Sequence, residues 1–507
     1  MNPPIRDLVI VGGGTAGWMM AAAAARFLAD GERRITLVES DAIGTVGVGE
    51  ATIPPIREFN AHLGISEAEF VAATGATMKL GIEFHGWGEA GERYIHPFGQ
   101  QGRDFDGVDF HMAWLKHRAA QGVGGIEDFW LAAVAARQAR FAPPSPDPRS
   151  PLSQLAYAYH FDASLFAAYL RRRAEAGGVV RIEGRIVAVE RDGVSGHVTR
   201  LRLDGDRSMT GELFVDCSGF RSLLLGDAMA VSFRDWSHWL PCDRALAVPS
   251  ARVDPLVPLT RATAHDAGWR WRIPLQHRTG NGLVYASALL SDDAAAARLL
   301  DGLDAPPAAE PRPITFRTGR YERLWAGNVV ALGLAGGFLE PLESTSIHLI
   351  QSGIQKLFAL FPDSGFAPIL ADEYNRLMAA QFDAVRDFVI LHYHANGRVG
   401  EPLWDRLRTM DLPDTLATRL ALFREKGRVF RYDDDLFAVA SWLAVLIGQG
   451  VLPAGYDPLV DSLDDERVVE ALRNLRAGYA RTAAQMPDHA AFLTALTART
   501  APAAGTA

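Results

Sequence analysis

An apolar run, Leu8-Val9-Ile10-Val11, empties into Gly12-Gly13-Gly14-Thr15-Ala16-Gly17, a Gly-x-Gly-x-x-Gly turn whose chemistry is the holding of a pyrophosphate. Gly12 permits the tight turn, and Gly14 lets the backbone approach a phosphate. Gly17 lets the following helix, expected from Trp18 to Leu28, lie close on the strand with its N-terminal N–H groups facing the anion. A second strand-like stretch, Arg34-Ile35-Thr36-Leu37-Val38, ends in Glu39, about 22 residues after Gly17 and near the ~20 at which an acidic side chain meets a ribose hydroxyl. Strand, turn, helix and acid in this order predict a dinucleotide site rather than a bare glycine loop.

Other stretches carry reactive types. Gly44-Thr45-Val46-Gly47-Val48-Gly49-Glu50-Ala51-Thr52-Ile53-Pro54 is built of small residues and reads as a loop shaped around a cofactor. Lys79 lies among apolar neighbours in Thr77-Met78-Lys79-Leu80, where composition alone leaves open a solvated face or a chemical role. Trp269-Arg270-Trp271-Arg272-Ile273-Pro274 sets two indoles on one face of a strand, either as a rigid wall or as a core pair. Strand 328–332 gives way to glycines and then to Glu343-Ser344-Thr345-Ser346-Ile347, where Ser344 and Thr345 suit a helix start able to hold an anion. Cys217, with no histidine near it in sequence, reads as a packed strand residue.

The elements that must position these groups follow from periodicity. From Val179 to Val215 the apolar period is two, with Asp192-Gly193 and Asp204-Gly205 as turns, which predicts a β-meander ending in the turn around Ser218-Gly219. His96-Pro97-Phe98 sits on an extended segment. From Ala371 to about Ala495 the pattern is helical, with Tyr374, Leu377, Phe382, Val385 and Val389 on one stripe. His392 and His394, two apart, diverge on a helix and read as core or capping groups rather than metal ligands. Pro-rich stretches at 143–151 and 305–313 read as linkers. The expected division is 1–368 with β-sheet insertions, a helical region over 369–497, and a tail over 498–507.

Composition bounds the function. The 51 basic and 60 acidic residues give a net charge of −9 without a basic tract, so nucleic acid is not an expected partner. Cys217 and Cys242 are the only cysteines, too few for a disulfide framework, and a reducing cytoplasm is the expected compartment. No apolar stretch approaches the ~20 residues of a membrane span.

Four signatures together resemble the flavin-dependent tryptophan halogenase family over nearly the whole chain. They are the glycine turn, Lys79 after Met78, Trp-x-Trp-x-Ile-Pro at 269–274, and Pro-Leu-Glu-Ser-Thr at 341–345. The resemblance implies an α/β fold: an FAD-binding, GR2-type Rossmann-like domain with an inserted β-sheet and a mostly helical C-terminal substrate region. It implies FAD, used as FADH2, with O2 and a halide, bromide or chloride. Hypohalous acid formed from them crosses a tunnel to an aromatic substrate. Flavin contacts carried over are Gly12, Gly14, Thr15, Ala16, Gly17, Glu39, Gly49, Ala51, Ile186, Leu334 and Ile347. Thr345 and Ser346 match the positions whose backbone binds halide, and Lys79 and Glu343 the catalytic pair. Lys79 acts either by a hydrogen bond to hypohalous acid or as a haloamine. Glu343 removes the proton of the cationic ring intermediate. His96 and Phe98 flank the substrate ring, and Trp269 and Trp271 stand as a wall between flavin and substrate.

The family's Tyr-Tyr pair, which holds the amino acid of tryptophan, is replaced here by Trp442-Leu443, and no glutamate follows at comparable spacing. The expected substrate is therefore an indole derivative other than free tryptophan, with Trp442 beside it. No second strand, glycine turn and helix suggests an NADPH domain, so a separate NAD(P)H-dependent flavin reductase is the expected partner; a homodimer is admitted. Two rival readings remain at this point, a single-component FAD aromatic hydroxylase and a non-catalytic flavin-binding protein.

Overall fold

The computed structural model describes residues 2–42, 49–88, 91–432 and 435–500. Most of the small-residue loop, up to Val48, and the tail from residue 501 lie outside the described residues. Contacts divide the chain into two units, each assembled from three segments. The first comprises Met1–Gly75, Phe161–Asp243 and Thr315–Ala384, and the second Ala76–His160, Arg244–Ile314 and Val385–Ala507.

The first unit is organised on a six-stranded sheet in the order Trp325–Ala326, Val329–Ala331, Leu213–Asp216, Asp7–Val11, Arg34–Glu39, Val180–Glu183. Its central pairs are parallel, with Val11 opposite Val38 on one side and Asp216 on the other. Leu8 to Val11 are all buried, as a parallel strand covered on both faces requires. The glycine turn leads into helix Thr15–Phe27, which starts three residues earlier than its apolar pattern suggests because Gly14 already serves as its N-cap. Its alanine run, Ala21 to Ala24, is buried and lets it pack closely on helix Ala163–Ala176.

The period-two region from 179 to 215 is not one meander. Ile186–Arg191, Val198–Leu203 and Ser208–Thr210 do form a three-stranded antiparallel sheet, while the flanking Val180–Glu183 and Leu213–Asp216 join the parallel sheet instead. Alternation specifies which face is buried but not which neighbour a strand pairs with.

In the second unit the strands Arg244–Ser250, Thr279–Tyr285, Gly268–Pro274, Leu259–His265, Gly81–His85 and Arg93–Pro97 follow one another in one sheet. The tryptophan strand, Gly268–Pro274, buries Trp269, Trp271 and Ile273. Arg272, on its other face, pairs with Asp304. The long helix Pro368–His394 begins in the first unit and ends in the second. Tyr374, Phe382, Val385 and Val389 of the expected stripe are buried, and Leu377 is only partly so, Met378 taking its place. Among the described residues no helix is long and apolar enough to cross a membrane.

Candidate active site

The flavin candidates all lie in the first unit. Gly12 holds φ +107°, and a Cβ there would meet the Cys217 carbonyl oxygen at 2.3 Å; a Cβ on Gly17 would meet the Gly12 oxygen at 1.8 Å. These glycines let strand ends and helix close on one another. Gly14 differs, since among the described residues a Cβ on it would meet nothing within 4 Å. It stands at the N-terminus of a 13-residue helix that has neither a side-chain cap nor an acidic residue in its first turn. This cradle fits a pyrophosphate, whose charge the exposed N–H groups and the helix dipole favour. A Cβ on Gly333 would lie 3.0 Å from that of Ala16, so the turn Gly333–Ala335, carrying Leu334, packs against the same helix start. Glu39 ends its strand as expected, with one oxygen 2.5 Å from Arg181 Nε, a partner 142 residues away that nothing local announces. Gly49 and Ala51 flank Glu50 on a short strand; burial of its carboxyl pushes the Glu50 pKa up to about 7. Ile186 opens the strand Ile186–Arg191.

Cys217 is buried and follows strand Leu213–Asp216. Burial, and then the neighbouring Asp216, push its thiol well up, away from nucleophilic use. Asp216 accepts hydrogen bonds from the N–H groups of Ser218, Leu224 and Leu225 and from the Ser218 hydroxyl, so it pins the second glycine turn.

Glu343, Thr345, Ser346 and Ile347 also belong to the first unit. Glu343 ends the turn Pro341–Glu343 and is 1% exposed. Ser344 turns the chain at φ +59° into the 14-residue helix Ser346–Ala359. Thr345 is the N-cap, yet its side chain makes no capping bond, contrary to the expectation for a Ser-Thr start. Its Oγ1 is buried without a hydrogen-bond partner among the described residues. A buried hydroxyl left so is costly unless a ligand completes it, and with no acid in the helix's first turn the donor set fits a halide. His348, one turn in, is held to about 4 by burial and the Lys356 charge and is therefore neutral.

The second unit holds Lys79, His96, Phe98, the tryptophan pair and Trp442. Lys79 ends the strand Thr77–Lys79 and is fully buried. Its Nζ lies 5.2 Å from the centre of the Phe98 ring, a cation–π contact that favours the ammonium. His96 is buried, its ring 5.6 Å from Phe388 and 6.2 Å from Phe437, which stack on one another at 3.8 Å. Trp269 and Trp271 lie 6.1 Å apart. Gly282, opposite Trp271, makes room for its ring, which a Cβ would meet at 1.9 Å. Trp442 is 3% exposed, its ring 4.1 Å beneath the Arg419 guanidinium and edge-on to Phe388. Arg419 is itself paired with Asp435 at 2.8 Å. Phe388, Phe437 and Arg419 escaped the sequence reading because nothing in their spacing ties them to His96 or Trp442.

The family model of tryptophan halogenases matches residues 7–465. The chain belongs to this family. Tryptophan 6-halogenase SttH of Streptomyces toxytricini is 38% identical over 501 residues, covering 92% of this chain and 94% of the relative. Tryptophan 7-halogenase RebH of Lentzea aerocolonigenes is 35% identical, covering 84% and 83%. The solved structure of BrvH, a flavin-dependent halogenase from Brevundimonas sp. BAL3, matches with a TM-score of 0.93 at 48% identity, covering 97% of this chain and 99% of that one. The protein is thus an enzyme, a flavin-dependent halogenase of aromatic substrates with the mixed α/β fold of its family. Neither rival reading survives that membership.

Proposed function

We propose that this halogenase uses FADH2, O2 and bromide or chloride to halogenate an electron-rich aromatic, an indole derivative other than free tryptophan. The observation that carries the substrate reading is helix Val439–Gly448, where Trp442 and Leu443 are both buried and offer neither a hydroxyl nor a charge to an amino acid's ends. Hydrogen bonds to charged groups are worth ~1.5–3 kcal/mol each, so loss of two lowers affinity for free tryptophan roughly 10²- to 10⁴-fold.

Bound reduced flavin supplies, with O2, the oxidising equivalents that turn halide into hypohalous acid. The chain's own groups do the rest. The turn Gly12–Gly17, Glu39, Gly49, Ala51, Ile186, Leu334 and Ile347 hold the cofactor, and Thr345 and Ser346 hold the halide. The Lys79 ammonium donates a charge-assisted hydrogen bond to the oxygen of hypohalous acid, which makes its halogen more electrophilic. The Phe98 ring favours this charged form over the neutral amine that a haloamine would need. Glu343 stabilises the cationic ring and takes its proton. His96, Phe98 and Trp442 fix the plane of the substrate ring, and Trp269 with Trp271 keeps that ring from the flavin. Reduced flavin comes from a separate NAD(P)H-dependent reductase, and the cytoplasm is the working compartment.

Without a clamp, intrinsic reactivity decides the position. Equal indole and tryptophan, offered with bromide and reduced flavin, should give chiefly 3-bromoindole by NMR and mass. Preferential halogenation of tryptophan on its benzo ring would overturn the substrate reading.

A further inference from the structure

Lys79 shares a face of its short strand with Thr77, since side chains alternate, and the strand pairing sets Ala158 opposite Lys79 and His160 opposite Thr77. Thr77 Oγ1 lies 2.7 Å from the Pro274 carbonyl oxygen and 3.0 Å from His160 Nδ1. A carbonyl only accepts and a hydroxyl has one proton, so Thr77 donates to Pro274 and accepts from the Nδ1–H of His160. On the other side His160 Nε2 lies 2.9 Å from Thr260 Oγ1, which donates to it. The imidazole is fully buried. Burial first, and then the charge of Lys79, hold its pKa well below the imidazole range.

The chain of bonds therefore has one direction and one tautomer, running from Thr260 through His160 and Thr77 to Pro274. Thr260 and Pro274 belong to adjacent strands of the large sheet, and Pro274 ends the tryptophan strand. His489 completes the anchorage from its own helix, accepting the Met78 N–H at 3.1 Å on Nε2 and donating from Nδ1 to the Leu256 oxygen at 2.8 Å. A three-residue strand has little pairing of its own, and these bonds tie its backbone and the Thr77 side chain to the large sheet and to the His489 helix.

We propose that His160, acting through Thr77, is the positioning residue that aims the Lys79 ammonium for halogen delivery; this rests on the reading of Lys79 given above. The neutral Nδ1–H form does two things. It fixes the Thr77 hydroxyl, and it places no second cation beside the ammonium.

The test is made on the flavin-loaded enzyme with reduced flavin supplied chemically. It reads halogenated product per O2 consumed, free hypohalous acid caught by a diffusible β-diketone scavenger, and the rate of flavin reoxidation. His160→Phe and the isosteric Thr77→Val should both lose roughly ten- to hundredfold in product per O2, as misplacement by about 1 Å does. Scavenger capture should rise to match, with reoxidation unchanged. His160→Asn, whose amide replaces the Nδ1–H donor, should recover most of the coupling, which a general loss of packing would not. If His160→Phe fails to fold, Thr77→Val carries the same expectation alone. Wild-type coupling in Thr77→Val, or an Asn variant as uncoupled as the Phe one, overturns the proposal. Lys79→Ala separates the two layers: if it stays coupled, the Lys79 reading falls and takes this one with it. If Lys79→Ala uncouples while Thr77→Val does not, only the role of His160 falls.

Discussion

Acid should weaken this fold measurably through His489, the imidazole that holds the Met78 amide next to Lys79. Its pKa is lowered to about 4 by burial, against 6.5 when exposed. Between those values the unfolded chain binds a proton that the native state refuses. The stability tied to His489 is therefore complete above about pH 6.5 and is lost as pH falls toward 4. At pH 5 the unfolded imidazole is almost wholly charged and the native one mostly neutral, which makes the native state about 2 kcal/mol less stable than at pH 8 from this group alone. The perturbation is His489→Gln, which removes the titration while leaving a side chain that can hydrogen-bond. Urea unfolding of both proteins, followed by tryptophan fluorescence at pH 8 and pH 5, gives the measurement. His265 and His348, also lowered to about 4 by burial, add the same slope to both proteins and cancel in the difference. Wild type should lose about 2 kcal/mol more than the variant across the interval. Identical losses would mean that His489 takes up its proton equally in the folded protein, and the buried, bond-fixed neutral form would be wrong.

Three further outcomes follow from the site. Glu343→Gln, which removes a charge without changing shape, should slow halogenation at least tenfold with flavin affinity intact; an unchanged single-turnover rate would remove the base role. Thr345→Val, which deletes the unpartnered buried hydroxyl, should raise the halide KM roughly tenfold or more, the worth of one hydrogen bond to a charged group, and leave the flavin KM alone. An unchanged halide KM would assign binding to the backbone only. Gly12→Ala must place a Cβ 2.3 Å from a carbonyl oxygen at positive φ, so it should lose flavin and lower Tm, and flavin retention at wild-type affinity would count against the cradle.

The parts of the site legible in sequence are those written in short-range spacing. The glycine turn, Glu39 at the end of its strand, and the two tryptophans on one face each need only a local rule, and each falls on the element expected. The meander failed because a period of two does not say which strand lies alongside. The Ser-Thr helix start gave the right boundary but no capping bond from Thr345, whose hydroxyl points elsewhere. The bonds that hold the Lys79 strand were invisible: Thr77 and His160 stand 83 residues apart, and Met78 and His489 stand 411 apart. Trp442 was read from what it replaces. Its actual neighbours, Arg419 and Phe388, come from separate helices and leave no pattern around it.

A lysine fully buried at a strand end poses an energetic problem that its neighbours resolve. An ammonium out of water loses its hydration, and a second cation nearby would push it toward the neutral amine. Among its neighbours is a π face, the Phe98 ring, and the small Ala158 stands opposite it in the strand pair. His160, whose pKa the Lys79 charge helps to lower, and His489, bonded to the adjacent Met78 amide, are both held below the imidazole range first by burial. Lysine or arginine at 160 or 489 could supply a hydrogen bond, but only with a charge that opposes Lys79. Asparagine or glutamine could donate and accept without charge, which is why His160→Asn is the variant expected to preserve coupling. The Phe98 face and the two neutral histidines suit the charged Lys79 that the proposed mechanism uses. A site built for a transient haloamine would need the reverse, a field that drives the proton off the nitrogen.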